Sequence, residues 1–408
     1  MKKITELFKR YTANEYVLFL VTATAFIHIY VNAAVIVLLP FYALFTGQFK
    51  KCLPKKKPGY LFLLFALIAL VLTFLYSKNI YAEAFHLPSV NASDSMLWQV
   101  QISSFYMKGL SVLIVGLFFG LHFFSNTMTK RAWYANLKLA SALSLTSFAA
   151  AVIQMIKNEW VSVDRPGRVA SVFSNENYYA TVMEFVFLIG LFFFTTQKNR
   201  KRRLFYALVM ASSLAGVFFS GCRTALFCIF AGSVLYFFFT EKKIFWCLLS
   251  LAFLGAGAFL IYDLTHSHAL FTLLTNGIQY RLSIWKTSWA AFTDQIWGRG
   301  FYSYGYTHPA YGGAFAIHAH NLYLDLLLNF GVAGFLCLIG FFLFSAKELF
   351  SSLKKSRLKP ETGFCAACLL CVILHGLTDV TLIWTQTAVF PALILLCPSA
   401  FEAKEVEK

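Results

Sequence analysis

About twelve long apolar runs divide the chain, near 14–30, 32–47, 60–76, 107–124, 134–156, 178–196, 204–219, 223–239, 244–262, 321–345, 362–377 and 381–397. Crossing a hydrocarbon core takes about 20 residues as a helix. With no water inside the bilayer, spanning segments are either helices or a closed barrel. Barrel strands read as short alternating segments, and these runs are continuous, so the expected fold is an all-α, polytopic membrane protein with about 12 transmembrane helices. Composition agrees: hydrophobic residues make up 59% of the chain and charged residues 13%. A soluble domain would carry about twice that charge fraction.

Charge distribution tests the topology independently. With a cytoplasmic amino terminus, the inside segments are 1–13, 48–59, 125–138, 197–203, 240–243, 346–361 and the tail from 398, and they hold 26 of the 35 Lys and Arg residues. The outer side has the longer connections, 77–106, 157–177 and 263–320, so the positive-inside bias runs against loop length. Both termini are therefore expected in the cytoplasm. The net charge of +17 lies in short basic clusters between apolar runs, as at an anionic lipid surface, which argues against nucleic acid as a partner. No small-residue cleavage site follows the first run, so no removable signal peptide is expected. Four regions result: N-terminal helices 1–156, central helices 157–262, a large outer loop 263–320, and C-terminal helices with a tail, 321–408.

The outer loop is rich in Tyr, Trp, Gly and His. In RLSIWKTSWAAF, Trp285, Ser288, Trp289 and Phe292 recur at helical spacing, which predicts an amphipathic helix at the interface. IWGRGFYSYGY reads as glycine-punctuated turns. The chain lacks internal repeats, paired broken helices and charges deep within its runs, which argues against a lipid-linked sugar transporter or flippase.

Ionisable residues at membrane depth are costly and mostly functional. Here they gather on the outer face: Arg165 and Arg168 in VDRPGRV, Arg223 after Ser220-Gly221-Cys222, Arg281 at the start of the interfacial helix, His318 and His320 at the end of the loop, and Asp379 in the last outer turn. Arginines there can hold a diphosphate by charge-assisted, bidentate bonds and do the work a divalent metal does elsewhere. A histidine beside them suits removal of a proton from an attacking hydroxyl, oriented by an aspartate. For Arg168 and Arg299 a snorkelling anchor and a ligand are both open. His375 lies one helical turn before Asp379, a spacing at which the two could hydrogen-bond for support or for catalysis. His308 with the HAH segment hints at zinc, but no Cys, Asp or Glu looks placed to complete a site, so no metal and no cofactor are expected. Cys365, Cys368 and Cys371 resemble an iron–sulfur run but read better as small residues on one face of a buried helix.

Several of these segments resemble the O-antigen ligases. His320-Asn321, nine residues, Gly331, two residues, Gly334 resembles that family's His-Asn-x9-Gly-x-x-Gly signature. SGCRTALFCIF and RLSIWKTSW resemble its two arginine segments, which would give the essential arginines as Arg223 and Arg281. TDVTLIWTQTAVFPALIL resembles its last outer turn, with Asp379 in the acidic position. FSNENYYATV, with Asn175 and Asn177, is similar to the Asn-x-Asn segment of the wider ligase and polymerase superfamily, and WGRGFYSYGY to its glycine-rich turn.

The resemblance implies a glycosyltransferase of the multi-membrane-spanning (GT-C) class in the bacterial inner membrane. A glycan would leave undecaprenyl diphosphate at the outer leaflet and join an acceptor hydroxyl, such as lipid A–core oligosaccharide, with inversion and without metal. On that reading His320 is the general base or acceptor-orienting group, Arg223 and Arg281 hold the diphosphate, and Asp379 orients one of them. Arg165, Arg168, Asn175, Asn177, His318, Asn321, Arg299 and His375 would line the substrate site. A polysaccharide polymerase using a second lipid-linked repeat, or a protein O-oligosaccharyltransferase, fits the same pattern.

Overall fold

A computed structural model of the chain describes residues 11–76, 94–157, 167–265, 269–355 and 357–397; Arg165 falls outside these. Among the described residues all extended regular structure is helical. The helices are α1 (Ala13–Thr24), α2 (Ile29–Phe45), α3 (Lys57–Tyr76), α4 (Asp94–Ser125), α5 (Lys130–Lys157), α6 (Glu176–Thr196) and α7 (Arg200–Ser220). After these come α8 (Arg223–Thr240), α9 (Lys242–Thr265), α10 (Ala269–Asp294), α11 (Ser303–Thr307), α12 (Leu322–Lys355), α13 (Lys359–Gly376) and α14 (Thr385–Leu395). Among the described residues, eight helices, α3 to α9 and α12, hold a stretch long and apolar enough to cross a membrane. The other four expected spans are helical too, as α1, α2, α13 and α14, but α1 and α14 run only 12 and 11 residues. At 1.5 Å per residue, a helix that short falls well below the ~30 Å of a hydrocarbon core.

Local chemistry sets the helix ends. Thr12 and Glu15 form a capping box at α1, Asn175 caps α6, and Asn199 caps α7. Gly221, at φ +68°, closes α7 in the left-handed region that a Cβ disfavours, and α8 starts two residues later at Arg223. Helix α6 is the hub, packed against α5, α7, α8, α13 and α14 with buried residues on every side. Trp133 of α5 reaches across to donate its Nε1–H to the Leu393 carbonyl of α14 at 2.9 Å. A second core, around Phe62, Phe65, Phe118, Phe330 and Phe341, joins α3, α4 and α12.

The loop expected on the outer side is more helical than its sequence suggests. Helix α9 continues to Thr265, and α10 begins at Ala269, well ahead of the expected segment. The buried face of α10 is Ile284, Thr287, Ser288, Ala291 and Phe292, while Trp289 is 53% exposed. The expected face is therefore rotated by about one position. An apolar stripe of Ile278, Leu282 and Trp289 stays exposed on the other side, as suits a helix lying at a membrane surface.

Helix α12 is broken. Gly331 sits at φ +65°, ψ −174°, a backbone region open in practice to glycine alone. The break frees carbonyls that the loop then uses: Leu328 O and Asn329 O accept from the Arg299 N–H, and Asn329 O accepts from the Gly300 N–H at 2.7 Å. Gly298, at φ +90°, rests its backbone on that of Gly331. The glycine-rich turn and Gly331, ten residues after Asn321, are thus two halves of one joint.

Candidate functional site

The turn between α13 and α14 delivers Asp379 to the end of the large loop. Asp379 is buried, its Oδ1 accepts the Val380 N–H at 2.8 Å, and its Oδ2 accepts from Asn177 Nδ2 at 2.6 Å. His320 brings Nδ1 to Oδ1 at 3.3 Å, and His318 brings Nε2 to the same oxygen at 3.8 Å. The two imidazoles meet edge to face, 4.4 Å between centroids.

His320 has φ +47°, a left-handed conformation that histidine tolerates better than most residues. Three contacts hold that turn. Trp285 of α10 donates Nε1–H to the His320 carbonyl at 3.2 Å, Asp325 accepts the Ala319 N–H at 2.9 Å, and Asn321 caps α12 through the Tyr323 and Leu324 N–H groups. Asn321 also donates Nδ2–H to the Leu377 carbonyl at 3.0 Å, tying the loop end to the Asp379 turn.

Behind Asp379 runs a chain of charge-assisted bonds. Arg168 donates from NH2 to Asn177 Oδ1 at 2.9 Å, from Nε to the Ser220 carbonyl at 2.6 Å, and pairs NH1 with Glu176 at 2.7 Å. Each guanidinium nitrogen is engaged within the protein, so Arg168 braces Asn177, and through it Asp379. Asn175 turns its side chain to the Asn177 N–H as the cap of α6. The Asn-x-Asn segment is therefore one cap and one carboxylate-orienting amide.

Arg223 begins α8, and its neighbour Thr224 hydrogen-bonds Thr378, next to Asp379, at 2.9 Å. Arg281 lies close enough for its charge to depress the proton affinity of His318. Arg299, by contrast, is buried in the loop with Asp294 and Tyr311 as partners, an anchor of the glycine-rich turn. His375 does not reach Asp379 with its side chain. Their link is the Asp379 N–H to the His375 carbonyl, while the imidazole Nδ1 meets Glu184 at 2.8 Å. Glu184 itself, 0% exposed in α6, corrects the expectation of helices without deep charges.

Burial would raise the Asp379 carboxyl, but the hydrogen bond from His320 and the nearby His318, His320 and His375 outweigh it and hold it well below the usual carboxylate range. His318 is pushed down to about 4, chiefly by burial, with His320 and Arg281 adding to it and Asp379 opposing. The sign of the linkage follows. An unfolded His318 takes a proton near its ordinary value of ~6.5, which the folded site refuses until about 4, so stability is lost as pH falls through that window. Acidification from pH 7 to 4.5 is expected to lower the melting temperature, and His318→Gln to flatten that slope; equal slopes in both proteins would contradict it.

Asp379 also supplies the acidic ligand that the sequence left missing beside the histidines: donor atoms of His318, His320 and Asp379 lie within 4.8 Å of one another. The hydrogen bonding suits proton transfer better than a cation. The His320 N–H donates to His318 Nδ1 at 3.2 Å, which leaves the ring proton of neutral His318 on Nε2, the nitrogen turned toward Asp379. A metal there would have to displace that proton from a ring already bonded at its other nitrogen.

Residues 178–339 match the family model described as O-antigen ligase, Wzy_C. Over that stretch the chain is similar to the O-antigen ligase family. The stretch spans Arg223, Arg281, His318, His320, Gly331 and Gly334. Asn177 lies just before it, and Asp379 beyond its end, so the O-antigen ligase segment and its flanking helices build the site together. No curated protein matches the chain. Among residues the sequence reading missed, Asp325 and Glu184 carried a signal, a carboxylate inside an apolar run; Trp285 and Glu176 carried none beyond their neighbours.

Proposed function

We propose that this protein transfers a glycan from undecaprenyl diphosphate to an acceptor hydroxyl on the outer face of the inner membrane, with lipid A–core as the acceptor. The match of residues 178–339 to the O-antigen ligase model supports glycosyl transfer of the ligase and polymerase kind. The observation that carries the reading further is the His320–Asp379 pair. With Nδ1–H directed at a buried carboxylate, His320 presents Nε2 as the basic nitrogen, and its ring is 25% exposed.

The acceptor oxygen gives its proton to His320 Nε2 and bonds to the anomeric carbon, while the bond from that carbon to the diphosphate oxygen breaks with inversion. Asp379 balances the imidazolium charge. Arg223 and Arg281 balance the charge that develops on the departing diphosphate. Their side chains are exposed or partly exposed, as a large lipid-linked donor requires.

Purified protein in nanodiscs, given undecaprenyl-diphosphate glycan and lipid A–core in the presence of chelator, is expected to form ligated product. Arg281→Ala is expected to slow turnover by about 10²-fold, as for loss of one preorganised donor. Elongation of the lipid-linked glycan without core would replace the ligase reading by a polymerase, and loss of turnover in chelator at an unchanged melting temperature would overturn the arginine-based mechanism.

A further inference from the structure

Beneath the outer site, a second cluster has no part in that chemistry. Glu184 of α6, Cys228 of α8 and His375 of α13 bring a carboxylate, a thiol and an imidazole to within 4.8 Å of one another, all three buried. Cys371 of α13 stands beside them, its thiol donating to the Cys228 carbonyl at 3.2 Å. His375 engages one oxygen of Glu184, and the other, Oε1, is buried with no hydrogen-bond partner. Glu184 is eight residues into α6, roughly 12 Å along its axis, which puts this oxygen near the middle of a membrane-spanning helix. A carboxylate oxygen left bare at that depth is expensive.

We propose that Glu184, Cys228 and His375 bind a zinc(II) ion inside the helix bundle, with the sulfur of Cys371 next to the fourth position. Sulfur, nitrogen and carboxylate oxygen are zinc's ordinary ligands, and four-coordinate closed sites of this kind are structural. Charge decides in favour of this donor set. A thiolate, a carboxylate and a neutral imidazole carry two negative charges, so the zinc complex is neutral overall. Binding releases two protons, one from the Cys228 thiol and one shared by His375 and Glu184, and no net charge enters the low-dielectric interior. The bare Oε1 gains a partner in the same step. The ion would lock α6, α8 and α13 together below the Asp379 turn, and the inference stands independently of the transfer reaction.

The test uses the full-length protein purified into nanodiscs. Elemental analysis is expected to find one zinc per chain. Treatment with 1,10-phenanthroline is expected to remove it and lower the melting temperature, and added zinc chloride to restore both with release of two protons per ion. Cys228→Ser and Glu184→Gln are expected to weaken zinc binding at least tenfold. If either variant fails to fold, the chelation and restoration cycle on the unaltered protein decides alone. Protein that contains no zinc and shows neither proton release nor thermal shift on zinc addition overturns the proposal. So does zinc that stays fully bound in both folded variants.

Discussion

His320→Asn is expected to fold normally and to lower the transfer rate constant by about 10²- to 10⁴-fold, the usual contribution of a positioned general base. Asparagine is the better replacement because His320 holds φ +47°, and asparagine visits that region more readily than alanine. The backbone contacts survive the change: Trp285 still bonds the residue-320 carbonyl, and the N–H still meets His318. Only the imidazole is lost. Rapid-quench measurement of turnover with saturating donor would separate the chemical step from binding, with kcat falling and KM for the donor nearly unchanged. A variant with near-normal kcat would remove His320 from the reaction.

The second large effect falls on folding. Gly331→Ala would place a Cβ 2.3 Å from the Trp297 carbonyl carbon and 2.5 Å from the Ile296 carbonyl oxygen, both backbone atoms with no room to yield. The φ/ψ pair at Gly331 adds strain for any side chain. Together these amount to roughly 4 kcal/mol or more, a large share of the 5–15 kcal/mol by which proteins are usually stable. Gly298→Ala meets Gly331 N at 2.5 Å and should fail in the same way. Fluorescence-detected size exclusion would report the outcome as aggregation or absence of the folded peak. A monodisperse Gly331→Ala protein with unchanged melting temperature would mean that the joint is not needed.

The fold class was legible because it rests on a solvent argument: long continuous apolar runs have few alternatives in lipid, and each became a helix. The site was legible where residue type alone was unusual. An aspartate in an outer turn, two histidines before a helix, and arginines on the side where positive charge is scarce all stood out, and Asp379, His318 and His320 do meet. Pairing was not legible. Arg168 stood open between an anchor and an anion ligand, and its guanidinium is engaged by Glu176, Asn177 and a carbonyl. Arg299 is spent on Asp294. Helical spacing suggested that His375 could bond Asp379, yet a carboxylate 191 positions away took its imidazole. A sequence gives chemistry at each position, and partners arise only when distant helices pack. The His-Asn-x9-Gly spacing illustrates both halves, since the pattern is plain in the sequence while its cause lies in a turn some thirty residues upstream.

That joint has a consequence for how acceptor preference can diversify. Backbone meets backbone at Gly298 and Gly331, so the loop is fastened to α12 at a point that involves no side chain at all. Beyond it, α10 meets the His320 turn through the indole hydrogen bond from Trp285 and the preceding loop through the Tyr280 hydroxyl, which donates to the Phe315 carbonyl. The segment 269–279 can therefore be exchanged for another of different length or polarity, as surface segments commonly are, provided Tyr280, Arg281, Trp285 and the two glycines are retained. A chimera that keeps those five positions should inherit its donor chemistry from this chain and its choice of acceptor from the transplanted segment.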